Sequence, residues 1–241
     1  EEKVRQRIAA EDNAKMLFDI IRKDADEMIN APLPEYEKVG RRLWWVCRES
    51  LNRILTLSFV CRITGEDRYA VRAIQEMETA AAFSDWNPDH FLDVAEMTTA
   101  VAIGYDWLHD KLTTEQETVI RKAILEKGIQ ASYEGIPWWI QINNNWNQVC
   151  HGGMVLGALA IAEHEPDLAA KTIRRAVEGL PSAMKEYAPD GVYPEGPPYW
   201  QYGTTYNVLL IAALQSALNT DFGISESPGF LASGAFPLLM T

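Results

Sequence analysis

Basic residues are in short supply in this chain of 241 residues. It has 22 Lys and Arg against 34 Asp and Glu, a formal net charge of −12. Nucleic-acid binders usually carry a basic surplus, so no nucleic-acid partner is expected. The exception to the acidic average is a cluster, Arg41, Arg42, Arg48 and Arg53, while after Arg175 the only basic residue is Lys185. Cysteine is sparse too. Cys47, Cys61 and Cys150 lie far apart with no CxxC and no paired metal-ligand spacing. They read as small buried apolar residues and leave the redox compartment open. No uncharged apolar run reaches the ~18 residues of a membrane span. No aspartate-rich metal motif is present, and no cofactor or metal is expected in this chain. No segment alternates with period two, so no sheet is expected. The opening EEKVRQRIAAEDNAK is charged and helical in composition and carries no visible signal peptide, which processing can remove.

What is present is apolar and repetitive. Hydrophobic residues make up 47% and aromatics 10%, enough for a sizeable core. Four segments share one layout of an apolar stretch followed by a polar loop, and the first three continue into an amphipathic, charge-rich stretch. The apolar stretches start near Arg42, Phe91, Trp146 and Tyr199. The loops are Thr64–Asp67, Thr113–Gln116, His164–Asp167 and Asn219–Gly223, roughly 50 residues apart, as in stacked helical hairpins. Phe91, Val94, Thr98, Val101, Tyr105 and Leu108 form one helical stripe. Met154 to Ala162 is apolar on every side, so it should be buried all round. Thr113 or Thr114 can cap the helix that follows, with Glu117 closing a box for Thr114, and Asp167 can cap the next. Apolar helices alternating with amphipathic ones predict an all-α chain in two layers, bent into an α/α toroid or incomplete α/α barrel. The inner wall should include residues 91–108, 146–162 and 199–218. An open helical solenoid is the plainer alternative.

Two stretches exceed what a scaffold needs. The first runs from Ile136 to Gly153 and holds Trp138, Trp139, Asn143, Asn144, Asn145, Trp146, Asn147 and His151. Asparagine is a poor interior helix residue, because its amide competes for backbone groups. The same amide can hold a carboxylate by hydrogen bonds. With a helix beginning near Asn145, Asn147 and His151 share one face. The bland reading is an N-cap with a satisfied core histidine. The second stretch runs from Pro189 to Tyr206. Its prolines and glycines predict an irregular loop that leads onto a helix bearing Tyr199, Tyr202 and Tyr206 on one face. The bland reading is an aromatic core stripe. The functional one is a wall that stacks on sugar rings and moves protons.

At NNNWNQVCHGG and DGVYPEGPPYWQYG the chain resembles the heparinase II/III-like polysaccharide lyases, which are related to the toroidal alginate and chondroitin lyases. The resemblance covers most of the chain and rests on the order, separation and helix-start positions of the two motifs. It implies an α/α toroid and β-elimination on a uronic-acid-containing polysaccharide. An acidic polysaccharide or oligosaccharide would be the partner, and the location would be periplasmic or secreted. In that chemistry the C5 proton leaves, the uronate carboxylate takes up charge, and the O4 group departs. A neutraliser, a base and an acid are required. The resemblance implies that Asn145 contacts the carboxylate and that Tyr199 transfers a proton, with Tyr202 next if the register shifts by one turn. Trp146 stands where the family often has His, and His151 is a substitute. A phenol has a reference pKa near 10 and suits the acid role. His90, which opens an inner helix in NPDHFLD, is a further candidate in the cleft, with Trp138, Trp139, Trp146, Asn147, Glu195 and Trp200 as substrate-binding candidates. Family members usually carry a C-terminal β-sandwich after the toroid, so this chain reads as one toroid domain, a fragment lacking that sandwich.

Two other function classes stay open. One is a glycoside hydrolase on an α/α barrel, using Glu195 with Asp106 or Asp190 about 5–10 Å apart. The other is a non-catalytic helical-repeat domain that binds carbohydrate or serves as a scaffold. The sequence leaves the oligomeric state open. The acidic average requires a local basic cleft if the ligand is a uronate polymer.

Overall fold

In the computed structural model, residues 1–135 and 137–240 are described; Ile136, at the head of the Asn/Trp stretch, and Thr241, at the end of the tail, lie outside them. The helices are α1 (Glu2–Ala10), α2 (Asp12–Ile29), α3 (Trp44–Thr64), α4 (Asp67–Ala82), α5 (Phe91–Trp107), α6 (Thr114–Ala123), α7 (Asn145–Ala160), α8 (Pro166–Gly179), α9 (Pro181–Met184), α10 (Pro197–Leu218) and α11 (Phe236–Leu239). Among the described residues there is no strand, only an isolated bridge between Val39 and Arg42. The chain is all-α. No helix among the described residues is long and apolar enough to cross a membrane.

Packing sets the helices in a central row with others laid against it. Fourteen of the 17 residues of α5 are buried, against five of the 14 of α8, which keeps one wet face. The central row runs α3, α5, α7, α10, each packed on the next in chain order. Helix α4 packs on α3 and α8 on α7; α6 continues into a π-helical turn, Ile124–Ile129, against α5 and α7. The predicted inner segments therefore correspond to α5, α7 and α10, with ends shifted by one or two residues. Within 154–162, Leu156, Leu159, Ala160 and Ala162 are half-buried rather than fully enclosed.

Two glycines explain how closely the row packs. A Cβ on Gly153 would lie 2.4 Å from the Ala95 carbonyl oxygen on α5. A Cβ on Gly152 would lie 3.0 Å from the Tyr206 Cβ on α10. Adjacent in sequence, they face opposite neighbours, so bare backbone lets α7 sit tight between α5 and α10.

Local capping differs from expectation in two places. Thr113 is the N-cap of α6, and its box is closed by Gln116 rather than by Glu117. Glu165 precedes α8, with Pro166 at its first position, so Asp167 lies inside the first turn and caps nothing. Pro166 fits there because its missing N–H would be unsatisfied anyway.

Candidate functional site

The first turns of the inner helices converge. A cleft of about 610 Å³ is lined by Arg42 before α3 and Trp44 and Arg48 on it, and by His90, Asp93 and Glu96 at the head of α5. Asn145 and Trp146 line it from the head of α7, and Tyr199, Gln201, Tyr202 and Tyr206 from α10. Thus His90, Asn145, Trp146, Tyr199 and Tyr202 are brought together from segments more than 100 residues apart.

His90 is buried, and its Nδ1 lies 3.0 Å from Asp93 Oδ1. Asp93 is fully buried; its other oxygen accepts from the Leu43 amide and from Asn87 Nδ2, both at 2.7 Å. Asn87 adopts a left-handed backbone, φ 62°, and also donates to the Arg41 carbonyl at 2.8 Å. Asn is among the few residues that accept that conformation at low cost. The Trp146 ring meets His90 edge-on at 5.0 Å.

A charged cluster forms another part of the cleft wall. Arg48 Nε donates to both Glu96 oxygens, at 3.2 and 3.3 Å, and the guanidinium lies over the rings of Trp44 (4.4 Å) and Tyr202 (5.2 Å). The Tyr202 hydroxyl also donates to Glu96. Burial pushes the Glu96 carboxyl up from its ordinary range, against the pull of Arg48 and Tyr202. Burial and the Glu96 charge push the Tyr202 phenol far up, which makes it a held donor rather than a free acid. Arg42 is exposed and has no ion pair among the described residues. It leaves a positive edge on a cleft whose other charges are paired.

Asn145 is 3% exposed and clasped by Glu195. Its backbone N–H and its Nδ2 donate to the two carboxylate oxygens at 2.7 and 2.8 Å. Tyr193 donates to the same carboxylate at 3.1 Å. Glu195 therefore caps α7 from another segment, where the helix dipole favours a negative charge. The local N-cap is Asn144, whose Oδ1 accepts from the Trp146 amide at 3.0 Å. Glu195 itself does not line the cleft. One residue further on, Gly196, φ 85°, turns the chain into α10. Tyr199 follows, half exposed at 52%, with no side-chain hydrogen bond among the described residues.

Several sequence candidates sit elsewhere. His151 is fully buried: its Nε2 lies 3.1 Å from the Ile140 carbonyl, its Nδ1 has no partner, and Trp139 packs edge-on at 5.0 Å. Burial, helped by the positive charge of Arg175, lowers its pKa to about 3. Asn147 donates to the same Ile140 carbonyl at 2.6 Å and to Gly179 at 3.1 Å. The two do share a helix face, but that face holds the 137–141 loop, so neither lines the cleft. Trp139 is buried and stacked on Phe91 at 5.1 Å. Trp138 is 55% exposed and leans on Trp146 at 4.7 Å, outside the cleft lining. Trp200 packs edge-on to Phe236 at 6.4 Å under the C-terminal tail. Asp106 lies at the far end of α5, about 15 Å along the helix from Glu96 at 1.5 Å per residue. Asp190 is exposed, and neither aspartate lines the cleft, nor does Glu195.

Sequence reasoning missed Asp93, Trp44 and the placing of Arg42 and Arg48. His90 and Asp93 are three apart at a helix head, which is a usable signal. The arginines come from a loop and helix nearly 100 residues before Asn145, where spacing says nothing. No family model matches this chain, and no curated protein matches it.

Proposed function

We propose that this cleft is the active site of a polysaccharide lyase of the heparinase II/III-like kind, built on an α/α toroid and acting on a uronic-acid-containing polysaccharide by β-elimination. The observation that carries the reading is the meeting of Asn145, Tyr199 and His90 beside two arginines at the heads of the inner helices. β-Elimination next to a carboxylate needs this kind of mixed wall. Arg42 and the Asn145 amide would hold the uronate carboxylate as charge spreads into it. The Tyr199 hydroxyl, with no protein hydrogen-bond partner among the described residues, would protonate the departing O4. Trp44, Trp146 and Tyr202 offer aromatic surface for sugar rings. The cationic edge at Arg42 supplies the local attraction that an acidic polymer needs on a chain of net charge −12. Such a polymer is met outside the cytoplasm, which gives the reading its periplasmic or secreted location.

A glycoside hydrolase would need two free carboxyl groups across the sugar. Asp93 and Glu96 are both engaged by protein donors, so this geometry favours the lyase. The test is incubation of the chain with a panel of uronic-acid polymers, followed by ultraviolet absorbance. A lyase product carries a new conjugated double bond, and a hydrolase product carries none. New reducing ends without ultraviolet absorbance would overturn the lyase reading.

A further inference from the structure

We infer that His90, locked by Asp93, is the base that takes the proton in this cleft, so that acid and base both come from this chain. The inference rests on the lyase reading. Its observations are separate from the two motifs, because His90 and Asp93 lie in neither.

Asp93 sets the imidazole in place. A fully buried carboxylate needs donors around it, and this one has three: Leu43 N–H, Asn87 Nδ2 and His90 Nδ1. Two of them point at Oδ2 and cannot act as acceptors. Oδ1 is left for the imidazole. A carboxylate accepts only, so Nδ1 must carry the hydrogen. That fixes the tautomer. Nε2 then holds the lone pair, and no described residue hydrogen-bonds to it, on a ring that lines the cleft. The edge of Trp146 and the His90–Asp93 bond together restrain the ring. A base with a free lone pair, backed by a carboxylate that orients it, is the arrangement that activates proton transfer in unrelated enzymes. The other buried histidine lacks it, since His151 has its Nε2 on a carbonyl and no carboxylate partner.

The C5–H bond breaks and its proton goes to His90 Nε2. The bonding pair becomes the C4=C5 double bond. The C4–O4 bond breaks, and O4 takes the Tyr199 hydroxyl proton. His90 ends as imidazolium and Tyr199 as phenolate, and solvent returns one proton from the first to the second.

The test uses the full chain and the polymer of the panel that yields most unsaturated product. Asp93→Asn is the sharp variant. Its oxygen must stay facing the Leu43 and Asn87 donors, so its NH2 turns to His90 Nδ1. Nδ1 then becomes the acceptor and the hydrogen moves to Nε2. Nitrogen NMR of the imidazole should show the lone pair on Nε2 in the wild type and on Nδ1 in the variant. The turnover number should fall roughly 10²–10⁴-fold, with KM changed far less. His90→Gln, which needs no tautomer argument, should fall by the same range with a normal melt. A wild-type spectrum with the hydrogen on Nε2 would overturn the inference without any activity measurement. So would an Asp93→Asn chain whose tautomer has switched while its rate has not. Active wild type with active His90→Gln sinks the base alone. Wild type that yields no unsaturated product from any polymer sinks the lyase reading, and the base with it.

Discussion

His90, at the head of α5, and His151, in the second turn of α7, are both buried, yet they keep different company. His90 meets a carboxylate and lines the cleft. His151 meets a carbonyl, the edge of Trp139 and the charge of nearby Arg175, and stays neutral. The neighbouring tryptophans divide the same way. Trp139 is packed away on Phe91, whereas Trp138 stands in solvent against Trp146. Residue type alone does not separate these pairs. What separates them is the partner and the place: His90 meets a carboxylate that accepts only, and of the two it is His90 that lines the cleft.

The contrast can be broken most sharply at Tyr199. Tyr199→Phe keeps the ring of a half-exposed residue and removes only the hydroxyl. The turnover number should drop roughly 10²–10⁴-fold with an unchanged melt. The same change at Tyr202 tests the neighbouring position. There the hydroxyl bonds buried Glu96, so stability should fall by about 1–3 kcal/mol as that carboxylate loses a donor. Full activity in Tyr199→Phe would remove tyrosine-mediated protonation from this site.

Next in size is the tryptophan pair. Trp139→Ala should cost about 3–5 kcal/mol of stability in chemical denaturation. Trp138→Ala should cost under about 0.5 kcal/mol, as a surface change does. Equal losses would mean that the division into packed and exposed members is wrong.

A smaller effect comes from pH. His151 is neutral when folded, with its pKa lowered to about 3, against about 6.5 for a free histidine. Between those values the unfolded chain binds the extra proton and the folded chain does not. Stability should therefore fall as pH drops below about 6.5, and the contribution should be flat above it. His151→Gln removes the titrating ring. It should lower stability at pH 7 by about 1–3 kcal/mol through its lost contacts, and flatten the acid-side slope of the melting temperature. Its turnover at neutral pH should stay within a few-fold of the wild type, unlike that of His90→Gln. An unchanged acid-side slope would show that His151 is not the group responsible.

The smallest effect lies far from the cleft. Thr113→Ala removes the capping box of α6 and should cost about 1 kcal/mol with activity intact, read by thermal melting.

Much of the scaffold was legible because inner helices announce themselves by being apolar on most sides. Phe91 begins α5 as its stripe predicts; α7 and α10 begin one and two residues before Trp146 and Tyr199. The heads of those helices were therefore findable, and with them Asn145, Tyr199 and His90. Partners were harder. Asn147 and His151 share one face, as their spacing predicts, but what that face meets is the carbonyl of Ile140, and periodicity cannot see a loop folding back. Glu195 reads from sequence as a substrate-binding candidate, yet it binds Asn145, 50 positions earlier. Caps were legible only to within a residue, because Thr113 and Thr114 present the same hydroxyl and only the backbone turn chooses between them.

The Tyr202–Glu96 hydrogen bond joins residues 106 positions apart. During synthesis, at roughly 5–20 residues per second, that separation is about 5–20 s of waiting. Over this interval Glu96 and Arg48 have already been made and can pair, while the tyrosine wall does not yet exist. The cleft is thus a late product of the growing chain. Helices α3, α5 and α7 can find one another first, and the site is completed only when α10 arrives to close it.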